Sequence, residues 1–182
     1  MKIPKTAKRV FKGIIFDVYQ WPQKQFDGTY KTFEMLKRPN TIEVIATKNN
    51  RIIMAIQEQP TKSSCYTLFG GRQENKETPL ETAKRELLEE SGLISKNWNL
   101  FKVYESEHKI EHQMYVFIAK NCQKVAEQKL DSGEKIKLIT VEFEKFLDIV
   151  YSDKLWCGPL AYDLFKIKGD TKKINAFKQK LF

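Results

Sequence analysis

Residues 71–93, GRQENKETPLETAKRELLEESGL, spell out one helix, both of its ends and both of its faces. Thr78-Pro79-Leu80-Glu81 reads as a capping box with proline at the first helical position, where its missing N–H has no consequence. Gly92 stands where a left-handed C-terminal stop belongs. Leu80, Ala83 and Leu87 recur at steps of three and four, giving one apolar face to dock on a sheet. Glu86, Glu89 and Glu90, at i, i+3 and i+4, are expected to converge away from that face, with Arg85 four residues from Glu89 and able to pair with it.

A run of charge on a helix is most often a solvated surface. Three features point elsewhere here. The chain carries a formal net charge of +9, yet residues 74–90 hold Glu74, Glu77, Glu81, Glu86, Glu89 and Glu90 against only Lys76, Lys84 and Arg85. Glu86 and Glu90 form a like-charge i,i+4 pair, which costs a few tenths of a kcal/mol unless neutralised. Phe69-Gly70-Gly71, read as a turn, offers bare backbone for a close approach by metal or phosphate. Ligands that are all oxygen point to a hard cation, Mg2+ or Mn2+, rather than zinc.

Gly71, Glu77, Arg85, Glu86, Glu89, Glu90 and Gly92 complete the pattern G-x5-E-x7-R-E-apolar-x-E-E-x-G-apolar. The segment resembles the signature box of the Nudix hydrolases at every fixed position. That resemblance implies an α/β (α+β) fold, an α/β/α sandwich around a mixed β-sheet. It implies hydrolysis of the diphosphate linkage in a nucleoside diphosphate joined to another group X. Glu86, Glu89, Glu90 and the Gly70 carbonyl would hold Mg2+ (or Mn2+), while Gly71, Glu77, Arg85 and Gly92 would brace loop and helix. Bound cations neutralise the diphosphate and make water a better nucleophile, and one carboxylate must take that water's proton. The base is a box glutamate or Glu134, whose loop reads Leu130-Asp131-Ser132-Gly133-Glu134; Ser132-Gly133 is also a good turn in its own right.

Along the chain, residues 1–12 form a basic lead-in, 13–21 and 30–37 two strands, and 22–28 the turn between them. Residues 1–39 are expected as an N-terminal hairpin unit and 40–182 as the main domain. In the latter, strands are expected at 41–47 and 51–57 around Lys48-Asn49-Asn50, at 99–106, 113–120 and 135–141, with helices at 142–151, 160–168 and 172–181.

Within the Nudix family the chain is most similar to the ADP-ribose pyrophosphatase branch, which carries N-terminal strands before a segment like residues 32–47, TFEMLKRPNTIEVIAT. The likeness implies a homodimer in which that unit caps the substrate site. It places Arg38 at a phosphate-contacting position, and makes Arg38, Lys62 and Arg72 the expected substrate-binding cations. Trp21, Tyr30 and Phe33 could stack on a base, though packing explains each singly. Two departures leave the substrate open among ADP-ribose, sugar nucleotides and dinucleotides. Gln59-Pro60-Thr61-Lys62 stands where relatives read Gln-aromatic-Arg, and a lysine lacks the guanidinium fork. Residues 105–111, ESEHKIE, contain no proline where relatives have a Ser-Pro-Gly-like loop; His108 and His112 lie there instead.

Cys65, Cys122 and Cys157 are odd in number and lack C-x-x-C spacing, which argues against a disulfide framework or zinc site and points to the cytoplasm. No apolar run approaches the roughly 20 residues a membrane span requires. The tail from residue 165 is lysine-rich, and without an RNA-reading motif it reads first as soluble surface. The alternatives are an RNA 5′-end (cap) or dinucleotide pyrophosphohydrolase, and an inactive nucleotide-binding regulatory module. The latter would be expected to lack a box glutamate, and none is missing.

Overall fold

The computed structural model describes residues 2–106 and 108–182; the side chain of Lys62 lies outside the described residues, and with it the expectation for that lysine. The N-terminal strands β1 (Lys8–Lys12), β2 (Asp17–Lys24) and β3 (Tyr30–Lys37) pair antiparallel in sequence order. The basic lead-in therefore ends in a strand. The strand expected at 13–21 starts only at Asp17, after Gly13 N–H closes a loop onto the Phe16 carbonyl at 3.0 Å. The expected turn at 22–28 begins late as well, because β2 runs on through Pro22. Pairing with β1 ends at Gln20, so no neighbour on that edge asks for the N–H that proline lacks.

The main sheet is mixed. Strand β4 (Thr41–Lys48) lies between β5 (Arg51–Gln59), antiparallel to it, and β11 (Gln113–Lys120), parallel to it from Thr41–Met114 to Ala46–Ala119. Antiparallel β9 (Asn97–Glu105) and β13 (Lys135–Val141) extend the two sides. Strands β6 (Lys62–Thr67) and β7 (Phe69–Arg72) add to β5 and β4. Phe69-Gly70-Gly71 is thus a strand rather than a turn. Glycine usually punctuates strands, but here it is needed where another element presses on the backbone. Two-residue strands β8 (Leu93–Ile94) and β12 (Gln123–Lys124) pair with each other. The short strand β10 (Ile110–Glu111) joins the N-terminal sheet, parallel to β3.

Alternation along β4 decides the layers. Ile42, Val44 and Ala46 face helix α1 (Pro79–Ser91) and pack with Phe69, Ala83 and Leu87. Ile45 turns to the other side, with Met54 and Ile118, beneath α2 (Phe143–Tyr151), α3 (Gly158–Lys166) and α4 (Thr171–Leu181). Both faces of the sheet are covered, as the expected sandwich requires. Among the described residues no helix is long and apolar enough to cross a membrane.

Candidate active site

Helix α1 starts and stops as its sequence dictates. Glu81 N–H donates to Thr78 Oγ1 at 3.3 Å and Thr78 N–H to Glu81 Oε2 at 2.7 Å. Gly92 takes φ 68° and its N–H closes on the Leu88 carbonyl at 2.7 Å. The three carboxylates do not all point outward as expected. Ala83, Leu87 and Glu90 fall on one stripe at i, i+4 and i+7, and all three are buried, Glu90 with only 5% of its surface exposed.

What Glu90 meets there is the glycine strand. Gly70 N–H donates to Glu90 Oε2 at 2.7 Å. A Cβ on Gly70 would stand 2.0 Å from the Ile42 carbonyl oxygen, and one on Gly71 2.4 Å from Glu86 Oε1. The bare α-carbon of Gly70 lets β7 lie close against β4, and that of Gly71 makes room for the Glu86 carboxylate. Burial pushes the Glu90 carboxyl up to about 9, only partly offset by the Gly70 hydrogen bond and reinforced by Glu86, Glu134 and Glu43. Glu86 is raised too, by burial first, with Arg85 opposing.

Glu134 belongs to the same group of charges. Its carboxyl is raised by burial, with Asp131 and Glu89 adding to the effect, and Gln57 Nε2 donates to it at 3.4 Å. Its loop and the β5–β6 turn at Gln59-Pro60-Thr61 line one opening of about 700 Å³.

Arg85 threads the cluster. It donates to Glu77 Oε1 at 2.8 Å, to Glu86 Oε1 at 2.9 Å and to Glu89 Oε2 at 3.0 Å, so the expected Arg85–Glu89 pair is present. A fourth bond, 3.2 Å, reaches the carbonyl of Arg72 at the end of β7. One arginine against so many carboxylates leaves negative charge uncompensated. Among the described residues no three acidic, histidine or cysteine side chains form a ready-made ligand cluster. The donor chemistry nevertheless fits a hard divalent cation: the donors are carboxylate oxygens, Glu90 is buried and Glu86 half-buried beside it, and their shared ionisation needs a positive partner.

A cavity of about 790 Å³ is lined by residues of the N-terminal sheet and of the main sheet, with Gln73 and Asn75 from the loop after β7. Arg38 lines it, with its guanidinium 5.5 Å from the Phe16 ring centroid and its Nε buried without a hydrogen-bond partner among the described residues. Burial, then the charge of Arg72, lowers the Arg38 pKa. Asn40 and Gln73, which sequence reasoning missed, link the cavity to the loop before α1: Asn40 Nδ2 donates to Gln73 Oε1 at 2.9 Å, and Gln73 Nε2 to the Glu77 carbonyl at 2.5 Å. His112 lines the cavity too, its ring nitrogens 2.6 Å from Ser106 Oγ and 3.0 Å from Thr41 Oγ1. Trp21 and Phe33 pack on each other, centroids 5.0 Å apart, while Tyr30 is exposed. Glu43, also missed, faces Gly70 across the β4–β7 ladder. Its signal was a lone charge inside the apolar run TIEVIA of a central strand.

A mixed sheet between helices, with an acidic helix docked on a glycine strand, makes the chain an α/β/α sandwich whose candidate site is rich in carboxylates. Residues 37–155 match the family described as NUDIX domain, and the chain belongs to that family. It is a Nudix pyrophosphohydrolase. An ADP-ribose pyrophosphatase of Bacillus subtilis (strain 168) is 28% identical over 161 residues, 86% of this chain and 87% of that protein. A methanol dehydrogenase activator of Bacillus methanolicus is 26% identical over 158 residues, covering 84% and 85%. A crystal structure described as an ADP compounds hydrolase superposes with a TM-score of 0.71 at 17% identity, over 92% of this chain and 94% of that one, and shows the same fold.

Proposed function

We propose that the protein hydrolyses the diphosphate linkage of a nucleoside diphosphate derivative, ADP-ribose foremost, with Mg2+ or Mn2+ held by Glu86, Glu89, Glu90 and the Gly70 carbonyl. The observation that carries this reading is the buried Glu90 carboxylate, bonded to Gly70 N–H beside Glu86, where two acids share a site that burial makes hostile to their charge. Likeness to an ADP-ribose pyrophosphatase over most of both chains supports the choice of substrate.

When bound, the cation supplies positive charge to the diphosphate and lowers the pKa of water. The protein's own groups do the rest. Arg85 fixes the carboxylates of Glu86 and Glu89, and through Glu77 the loop that precedes them. Arg38 and Arg72, close enough to influence one another, draw the diphosphate towards the helix. Glu134 takes the proton of the attacking water, a role suited to a carboxyl whose basicity burial has raised. The water oxygen bonds to one phosphorus, the bridging P–O bond breaks, and two phosphate monoesters leave, AMP and ribose 5-phosphate from ADP-ribose.

A second copy of the chain covers Phe11, Ile14, Ile15 and Phe16, apolar side chains of the N-terminal unit that are exposed in the single chain. The proposed setting is the cytoplasm, on the cysteine usage described above. The test is a panel of ADP-ribose, sugar nucleotides and dinucleotides, each incubated with Mg2+, with Mn2+ and with chelator. Metal-dependent release of two phosphate-bearing products is expected. Folded protein that turns over none of them with either metal would sink the proposal.

A further inference from the structure

The loop 73–77 joins β7 to α1, and Glu77 at its end holds Arg85. Little in the loop fixes its own shape. Glu74, Asn75 and Lys76 are exposed, and Lys76 takes φ 74°, a left-handed backbone that a lysine adopts only at some cost. The anchors come from outside. Arg85 grips the Glu77 carboxylate from the helix. On the other side the half-buried Gln73 is tied at two points to Asn40, the residue before β4. Gln73 N–H donates to the Asn40 carbonyl at 2.9 Å, and Asn40 Nδ2 donates to Gln73 Oε1 at 2.9 Å.

The two side-chain amides form a chain with one workable direction. At one end the backbone N–H of Gln113, the first residue of β11, can only donate, and it gives its proton to Asn40 Oδ1 at 3.0 Å. Asn40 must then turn Nδ2 towards Gln73, and Gln73 must accept at Oε1. That leaves Gln73 Nε2 for the Glu77 carbonyl, which can only accept. Turning either amide over sets like groups against each other at two points, and unmade hydrogen bonds are costly away from water. The starts of two central strands thus reach the backbone of Glu77. Its carboxylate sets Arg85, and Arg85 in turn holds Glu86 and Glu89.

We propose that Asn40 and Gln73 are positioning residues for the diphosphate reaction: they hold Glu77 and Arg85 in place, so that Glu86 and Glu89 present their carboxylates to the cation. They act through the loop backbone, as outer partners act on the groups that ligate a metal. The inference rests on the metal-dependent reading above and adds to it two residues outside the acidic helix.

The test is Mn2+ uptake by the full chain without substrate, read from the electron paramagnetic resonance of the free ion. Asn40→Asp keeps the acceptor for Gln113 and removes the donor to Gln73. Gln73→Leu keeps the bulk and removes both side-chain bonds. Each should weaken Mn2+ binding roughly tenfold, the low end of the range for residues that support metal ligands from outside. Turnover of ADP-ribose at limiting Mn2+ should fall in step. The double variant should bind no more weakly than the weaker single one, because both changes break the same chain. Asp163→Asn, which loosens the α3 anchor on β9, controls for lost stability and should bind Mn2+ as the parent does. Three outcomes would overturn the inference: parental Mn2+ affinity in both single variants, losses that multiply in the double variant, or an equal loss in Asp163→Asn. A parent chain that takes up no Mn2+ would sink the metal-dependent reading itself and this inference with it, so the two failures are told apart.

Discussion

Arg85 holds Glu77 by two parallel hydrogen bonds, Nε to Oε1 at 2.8 Å and Nη2 to Oε2 at 3.2 Å. The clamp joins the loop before α1 to the middle of the helix, and Thr82 Oγ1 adds a third bond to the same carboxylate at 2.7 Å. Arg85 hydrogen bonding is the main reason the Glu77 carboxyl falls to about 2. Nη1 of the guanidinium reaches Glu86 and Glu89, so one side chain ties the loop carboxylate to two carboxylates of the helix.

Arg85→Lys keeps the charge and loses the fork. It should cost about 1–3 kcal/mol of stability, in the range for hydrogen bonds between charged groups, and lower turnover as Glu86 and Glu89 lose their orientation. Urea unfolding beside steady-state kinetics checks this. An unchanged midpoint would mean the clamp contributes nothing to the fold.

Glu90→Gln separates chemistry from architecture. The amide oxygen can still accept from Gly70 N–H, while a buried ionisable group disappears. Turnover should drop by roughly two orders of magnitude or more, as expected when a charge that supports metal catalysis is removed. The thermal midpoint of the metal-free protein should hold or rise. A variant with full activity would remove Glu90 from the proposed metal site.

Alanine at the two strand glycines should give opposite signatures. At Gly70 the new methyl meets backbone, the Ile42 carbonyl at 2.0 Å, and the ladder must move. At Gly71 it meets the far end of a flexible side chain, Glu86 Oε1 at 2.4 Å. Gly70→Ala should therefore lose stability, by about 1–3 kcal/mol as overpacking does. Gly71→Ala should stay nearly as stable but lose activity, because Glu86 is pushed aside. Circular-dichroism melts and turnover on the same preparations distinguish them.

The pH response of the α3 anchor has a defined sign. Burial would raise the Asp163 carboxyl, but hydrogen bonds from Lys102, Lys166 and Tyr104 prevail and bring it from an ordinary 3.8 to about 2. A pKa lower in the folded state gives stability that is fully present above the unfolded value and fades as pH falls through the folded one. Asp163→Asn should thus lower the urea midpoint at pH 7 and pH 5, with the gap to the parent closing between pH 4 and pH 2. A gap that stays constant across that range would show that the aspartate acts through packing and not through charge.

Much of the helix was legible in the sequence because its determinants are local. The capping box at Thr78, the stop at Gly92 and the Arg85–Glu89 pair each depend on residues within one or two turns. Strand β3 was read to the residue, since alternation over 30–37 is bounded by clear turn signals. Strands β6 and β7 were not read as strands. Gly70 and Gly71 look like a turn until the approach of Ile42 and Glu86 explains why only glycine fits.

By itself the sequence determined which carboxylates stand near one another along α1, because helix periodicity is a local property. Only the tertiary structure decided that Glu90 faces inward while Glu89 stays partly exposed. It also decided that Glu134 comes near Glu86, Glu89 and Glu90, and that Arg38 and Gln73 line one cavity. Those facts depend on which face of each element the sheet buries, and burial follows from contacts between segments far apart in the chain.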